Sequence, residues 1–236
     1  RSGTKKKKIT NARLTFFAFT IIPVILYTVF YVISVINGVK YSFTNWDGMS
    51  ADYKFIGLKN YSLLFRDKNF WNSVKNTVIY TVLLVAGVII ISLILAISLN
   101  SIKRFKTLIK SVYFVPAMIG GVTIALIWDQ LFYRVVPVIG KALNIGWLSK
   151  SLLMTQKTAL PAVVFVQTWQ AVAIPTVIFI AGLQQIPEEQ YESAMIDGAT
   201  SFQRFRYITM PYLLPTVTVN LVFTMKQGFT SFDFPF

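Results

Sequence analysis

The sequence predicts an all-α integral membrane protein, on three observations. Of its 236 residues, 55% are hydrophobic and only 14% charged, where a soluble domain is about 45–50% apolar and about 25% charged. Mean hydropathy is +0.59. Five apolar runs approach or exceed the roughly 20 helical residues that cross a bilayer core of about 30 Å. The composition also excludes chemistry. Cys and His are both absent, which removes disulfides, thiolate nucleophiles and the commonest metal ligand and general base. No hydrolytic or metal-dependent enzyme is expected, and no metal site. The formal charge of +14 suits Lys and Arg at helix ends and anionic headgroups. Nucleic-acid binders are seldom half apolar, so no nucleic-acid partner is expected.

The elements follow in order. Residues 1–13 form a basic segment with Lys5, Lys6, Lys7, Lys8 and Arg13. The first span is residues 14–36, too long for a signal-peptide core and without a small-residue cleavage site. Residues 37–73 make a loop in which Trp46-Asp47-Gly48 reads as a turn. Its Trp, Tyr and Phe residues suit an interfacial belt more than a binding site. Residues 74–236 form the core of the protein. There the second span is 74–99 and the third is 108–131, the latter with a polar end at Trp128-Asp129-Gln130 and Asp129 as a solvated terminus. The fourth is 159–183, and the fifth begins near residue 213. Pro23 and Pro175 inside spans are tolerable where neighbours satisfy the freed carbonyl. Basic clusters at 5–13 and at Lys103, Arg104, Lys106 and Lys110 belong inside. The N-terminus is therefore cytoplasmic, loops 37–73 and 132–158 lie outside, and 187–213 lies inside. The chain starts at Arg1 rather than Met and stops at Phe236 within an apolar run, so the natural protein is expected to continue.

The stretch 187–213 interrupts this pattern with charge. Pro187 fits the first position of a helix, and Glu188 and Glu189 suit its positive end. Tyr191, Ala194 and Met195 share a face by their i, i+3, i+4 spacing. Gly198 is placed as a left-handed cap. Thr200 and Gln203 make a capping box for a second helix, on which Phe202, Phe205 and Ile208 share a face. Pro211 is expected to stop that helix and Pro215 to help start the fifth span. Two short helices hinged at a glycine need something to pack on. A membrane surface and a groove in a soluble partner both fit.

These residues resemble a known motif. Glu192-Ser193-Ala194, then Asp197-Gly198-Ala199, nine residues to Ile208, then Met210-Pro211, is similar to the EAA loop. That loop belongs to membrane subunits of binding-protein-dependent ABC importers. Ser193 departs from an alanine and Met210 from a leucine, with the spacing intact. The stretches at 110–132 and 181–199 and the extended first loop resemble the sugar-importer branch, of the maltose-permease type. The resemblance covers about residues 12–236. It implies a type I ABC importer permease fold, of which this chain supplies five transmembrane helices of a six-helix core, the fifth truncated. It implies a bacterial plasma-membrane protein that is not itself an enzyme. Its implied partners are a second, similar permease subunit, two ATPase subunits, a solute-binding protein and a sugar. ATP and Mg would be bound by the ATPase, because this chain has no phosphate-binding loop and no cofactor of its own. Glu192, Ala194, Asp197, Gly198, Ala199, Ile208 and Pro211 would dock in the ATPase.

Polar residues inside spans usually face a bundle interior or a cavity. Span four has Gln167, Thr168, Trp169 and Gln170 in a row, and span five has Thr224, Gly228, Thr230 and Ser231. By the resemblance, Gln167, Trp169, Gln170, Thr224, Gly228 and Ser231 fall on or beside sugar-contact positions. Ile174 replaces a tyrosine there, which implies a different sugar. Such residues also simply hydrogen-bond neighbouring helices. Lys226 has no assigned role. A permease for a polyol phosphate, an amino acid or a peptide, and a non-transporting membrane anchor that recruits a partner, are the competing readings.

Overall fold

The computed structural model describes residues 3–101 and 114–231. These residues are helical almost throughout, with no strand among them beyond one antiparallel bridge, Thr44 to Phe55. Four helices are long and apolar enough to cross a membrane, or five if a bent pair counts as one span. The chain divides into two compact units, residues 1–72 and 73–236.

In the first unit, α1 (Gly3–Tyr27) passes through a π-helical turn (Thr28–Val32) into α2 (Ile33–Ser42). The first span thus extends to Ser42, beyond the expected 36. The loop after it is built on aromatic contacts. Tyr41 stacks on Trp46 with centroids 4.1 Å apart, and Tyr53 packs edge-on against Tyr41. Gly48 takes a positive φ of 89°, as the turn at Trp46-Asp47-Gly48 requires. The Asp47 carboxylate accepts from the backbone N–H of Ser50 and Met49 and from the Ser50 hydroxyl. These bonds hold its pKa down at about 2. A short helix, α3 (Lys59–Arg66), follows.

α4 (Lys68–Ser101) is the longest helix, at 34 residues. Within the second unit it supports two apolar clusters. Tyr80, Leu84 and Val88 pack with Ile124, Phe132 and Val166. About two to three turns further along, Ala96 and Leu99 pack with Phe179, Ile180, Leu183 and Leu213. In lipid, helices associate through close packing rather than through exclusion of water, so small residues at crossings matter. Gly87 meets Thr168, Gly182 meets Leu213 and Thr216, and Gly228 meets Thr81.

Three expectations need correction. The third span is displaced along the chain. Residues 114–118 are helical, Gly120 is extended, and α5 (Gly121–Gln130) runs through a π-helical turn (Leu131–Val135) into α6 (Val136–Ala142). The apolar span is thus Gly121–Ala142, and Trp128, Asp129 and Gln130 lie within it. The Gly120-Gly121 pair breaks the helix where an unbroken apolar run was read. Residues 102–113, with the basic cluster and the expected start at 108, lie outside the described residues. The fourth span is two helices, α7 (Gln156–Ala171) and α8 (Ala173–Leu183), bent by 50°. Pro175 has no N–H for the carbonyl of Ala171, and the bend falls at that carbonyl. The fifth span starts earlier than residue 213, at Ser201.

Within α6, Gly140 lies against the 3-10 turn Gly146–Leu148, and a methyl group there would collide with the Leu148 backbone carbonyl. Backbone cannot swing aside as a side-chain tip can. Gly140→Ala is expected to destabilise the fold by about 3 kcal/mol, read as a lowered unfolding midpoint of the purified protein in detergent.

Candidate functional site

The charged stretch forms an elbow. α9 (Glu188–Ile196) starts with Pro187 as its extended cap rather than its first turn. Gly198 takes φ +75°. The Gly198 N–H donates to the Met195 carbonyl at 3.1 Å and the Ala199 N–H to the Ala194 carbonyl at 2.9 Å. This double bond pattern is a Schellman cap, which closes a helix on a left-handed residue. Thr200 and Gln203 form the expected capping box for α10 (Ser201–Arg204). The second arm does not stop at Pro211. It passes through a π-helical turn (Phe205–Thr209) directly into α11 (Met210–Phe229). Pro211 follows directly on the π-helical turn, which already interrupts the i→i−4 ladder where its missing N–H would fall. Residues 201–229 are therefore one span, and only α9 stands apart as a short helix.

The predicted face of α9 divides. Tyr191 is half-buried against the Leu183–Leu213 cluster, whereas Met195 and Ile196 are 52% and 87% exposed. On the second arm Phe205 and Ile208 are half-buried and Phe202 is 73% exposed. Ala194, Asp197 and Ile208 come together with Glu189, Gln190 and Ser193 around an open depression of about 410 Å³. Glu192 and Pro211 are exposed and do not line it; Ala199 is half-buried in the cap.

The span residues fall into separate places. Gln170, at the end of α7, and Thr224, on α11, line one cavity of about 490 Å³ with Ile174, Asn220, Lys226, Gln227 and Thr230. Gln170 Nε2 donates to the Ile119 carbonyl at 3.1 Å, and the buried Thr224 hydroxyl to the Asn220 carbonyl at 2.8 Å. Trp169 lies elsewhere, on a cavity of about 220 Å³ with Thr168, Phe165 and Ile91, edge-on to Trp128 with centroids 5.7 Å apart. Gln167 is buried and lines neither cavity. Gly228 is buried against Thr81 of α4. The Ser231 hydroxyl is 3.4 Å from that of Tyr80.

Asn220 was missed from sequence. It is fully buried, its amide donates to the Pro175 carbonyl at 3.4 Å, and its Oδ1 has no partner among the described residues. The signal was available: Asn220, Thr224, Gly228 and Ser231 form one stripe at helical spacing, and Asn220 is its first member.

A multi-helix membrane protein with a cavity between a bent span and the last span, lined in part by amides and hydroxyls, and a capped elbow leading into that last span, is built as a transport subunit. Residues 88–235 match the family described as the binding-protein-dependent transport system inner membrane component, and the chain belongs to that family. It is 40% identical to the multiple sugar-binding transport system permease protein MsmF of Streptococcus mutans, over 91% of this chain and 74% of that one. It is 34% identical to the probable starch degradation products transport system permease protein AmyD of Thermoanaerobacterium thermosulfurigenes, over 97% and 78%. Its fold matches a chain of a bacterial ABC transporter involved in the import of the acidic polysaccharide alginate, with a TM-score of 0.78 at 21% identity, over 97% of this chain and 77% of that chain.

Proposed function

We propose that this chain is the membrane-spanning subunit of an ATP-driven ABC importer for an oligosaccharide or related sugar. It forms half of the pathway beside a second permease subunit. A solute-binding protein delivers the sugar, and two ATPase subunits, which bind ATP and Mg, dock on the elbow through Ala194, Asp197, Gly198 and neighbouring residues. The lysine-rich N-terminus lies in the cytoplasm, which puts the elbow on the ATPase side. The observation that carries this reading is that a single helix, α11, continues from the elbow at its start and carries cavity residues Asn220, Thr224 and Gln227 along its far half. The relatives named for sugar and starch-product transport supply the solute class. Amides and hydroxyls in the lining suit sugar hydroxyls.

The test is ATP-dependent uptake of labelled oligosaccharides by the complete complex in proteoliposomes. Uptake is expected to require both ATP and the binding protein. Gln170→Ala and Thr224→Val should each raise the apparent KM about five-fold, the loss of one hydrogen bond, and Trp169→Ala less. One observation favours a second reading. Lys226 lines the cavity and no carboxylate pairs with it among the described residues, which suits an anionic solute such as a polyol phosphate. Uptake of a polyol phosphate in place of neutral oligosaccharides would decide for it.

A further inference from the structure

We infer that the hydroxyl pair Tyr191–Thr209 is a latch that makes α9 and the last span move as one body. The inference deepens the coupling role proposed above and rests on it. α9 has nine residues, too few to be stable by itself. Its covalent link to the second arm runs through Gly198, whose added side chain would meet nothing within 4 Å. The two cap bonds set the angle at this joint, but no side chain packs over Gly198 to brace it.

Two side-chain bonds close that gap. The Tyr191 hydroxyl lies 2.7 Å from Thr209 Oγ1, and Gln190 Nε2 donates to the Tyr212 hydroxyl. The second is exposed and competes with water. The first is better shielded: Thr209 is 6% exposed and the Tyr191 ring packs on the cluster containing Leu183 and Leu213, with the pair at the wall of an open depression of about 370 Å³. Thr209 Oγ1 also lies 3.5 Å from the Arg204 carbonyl, a long second contact, and removing either hydroxyl of the pair breaks the 2.7 Å bond whichever one donates. The bond lands on the last residue of the π-helical turn, a widened turn of the kind that recurs at functional sites in helices. From Met210 the helix is unbroken to Phe229, roughly 30 Å at 1.5 Å per residue. Tilting α9 therefore pulls on the near end of a rod whose far part carries Asn220, Thr224 and Gln227. Tyr191 is a positioning residue; it faces the core rather than the docking partner.

The experiment measures sugar transported per ATP hydrolysed by the complete complex in proteoliposomes, for Tyr191→Phe, Thr209→Val, the double variant and Thr209→Ser. Each of the first two is expected to lower the ratio about five-fold while the ATPase subunits still co-purify. The double variant should be no worse than the worse single, because both remove one bond, and Thr209→Ser should recover the ratio. A purely structural role would lower yield or the unfolding midpoint and leave the ratio of the surviving complex unchanged, which overturns the latch. So would singles whose effects multiply in the double. Gly198→Val separates the two levels. If it uncouples the complex and Tyr191→Phe does not, only the latch fails; if it too leaves coupling intact, the coupling role itself fails.

Discussion

Gly198→Val is expected to abolish stimulation of ATP hydrolysis by the sugar-loaded binding protein, and Gly198→Asn to retain most of it. Gly198 holds φ +75°, in the left-handed region that L-residues enter at a cost of about 1–2 kcal/mol. β-branched side chains are genuine outliers there, whereas Asn is several-fold enriched. No neighbouring atom lies near the site, so the penalty is one of backbone conformation and not of crowding. Valine can relieve it only by leaving the left-handed region. That breaks the two bonds of the cap, Gly198 to Met195 and Ala199 to Ala194, and changes the angle between the arms. Because α10 runs on into α11, a changed angle misplaces α9 relative to the whole last span. The measurement is ATPase activity with and without loaded binding protein. Alanine should fall between asparagine and valine. If valine behaved like glycine, the elbow would not be the element that couples hydrolysis to the pathway. If asparagine failed as badly as valine, the bulk of the side chain at a docking face would matter rather than the angle.

The elbow was readable from sequence because its determinants are local. A left-handed glycine and a Thr-x-x-Gln box act over four residues, and both formed as the spacing required. What failed was the use of Pro211 as a terminator. Proline disrupts the i→i−4 ladder, and the π-helical turn just before Pro211 widens that ladder already, so the helix runs on through it. The third span failed for a related reason. Hydropathy reports that a run is apolar, and Gly120-Gly121 can break the helix inside the run without lowering it. Span four exposed another limit. Consecutive helical residues point about 100° apart, so Gln167, Thr168, Trp169 and Gln170 could not all face one cavity. Which of them did was decided by neighbours far away in sequence, Asn220 and Thr224 on one flank and Ile91 of α4 on the other. The stripe on α11 was legible, since one helix carries it whole, but the reading stopped one turn short of Asn220.

Gly228 provides the sharper case of contact against packing. By motif it falls on a pathway position, and by geometry it is where α11 crosses α4. A methyl group added there would sit 2.7 Å from Thr81 Cγ2, 2.8 Å from Thr81 Oγ1 and 3.0 Å from Thr81 Cβ. Thr81 is 3% exposed and is β-branched on a helix, so its rotamer has little freedom. Gly228→Leu is therefore expected to give no purifiable complex, and Gly228→Ala to lose about 1–3 kcal/mol of stability, as overpacking does. Thr81→Ala removes both offending atoms and leaves only the Cβ contact, so Gly228→Ala with Thr81→Ala should regain yield and unfolding midpoint. The recovered double variant then separates the two roles. If sugar uptake returns with an unchanged KM, Gly228 is glycine so that α4 and α11 can touch, and the solute meets the neighbouring faces of α11 at Thr224 and Gln227. If the fold recovers and the KM does not, the surface of α11 at Gly228 is itself part of the path the sugar takes.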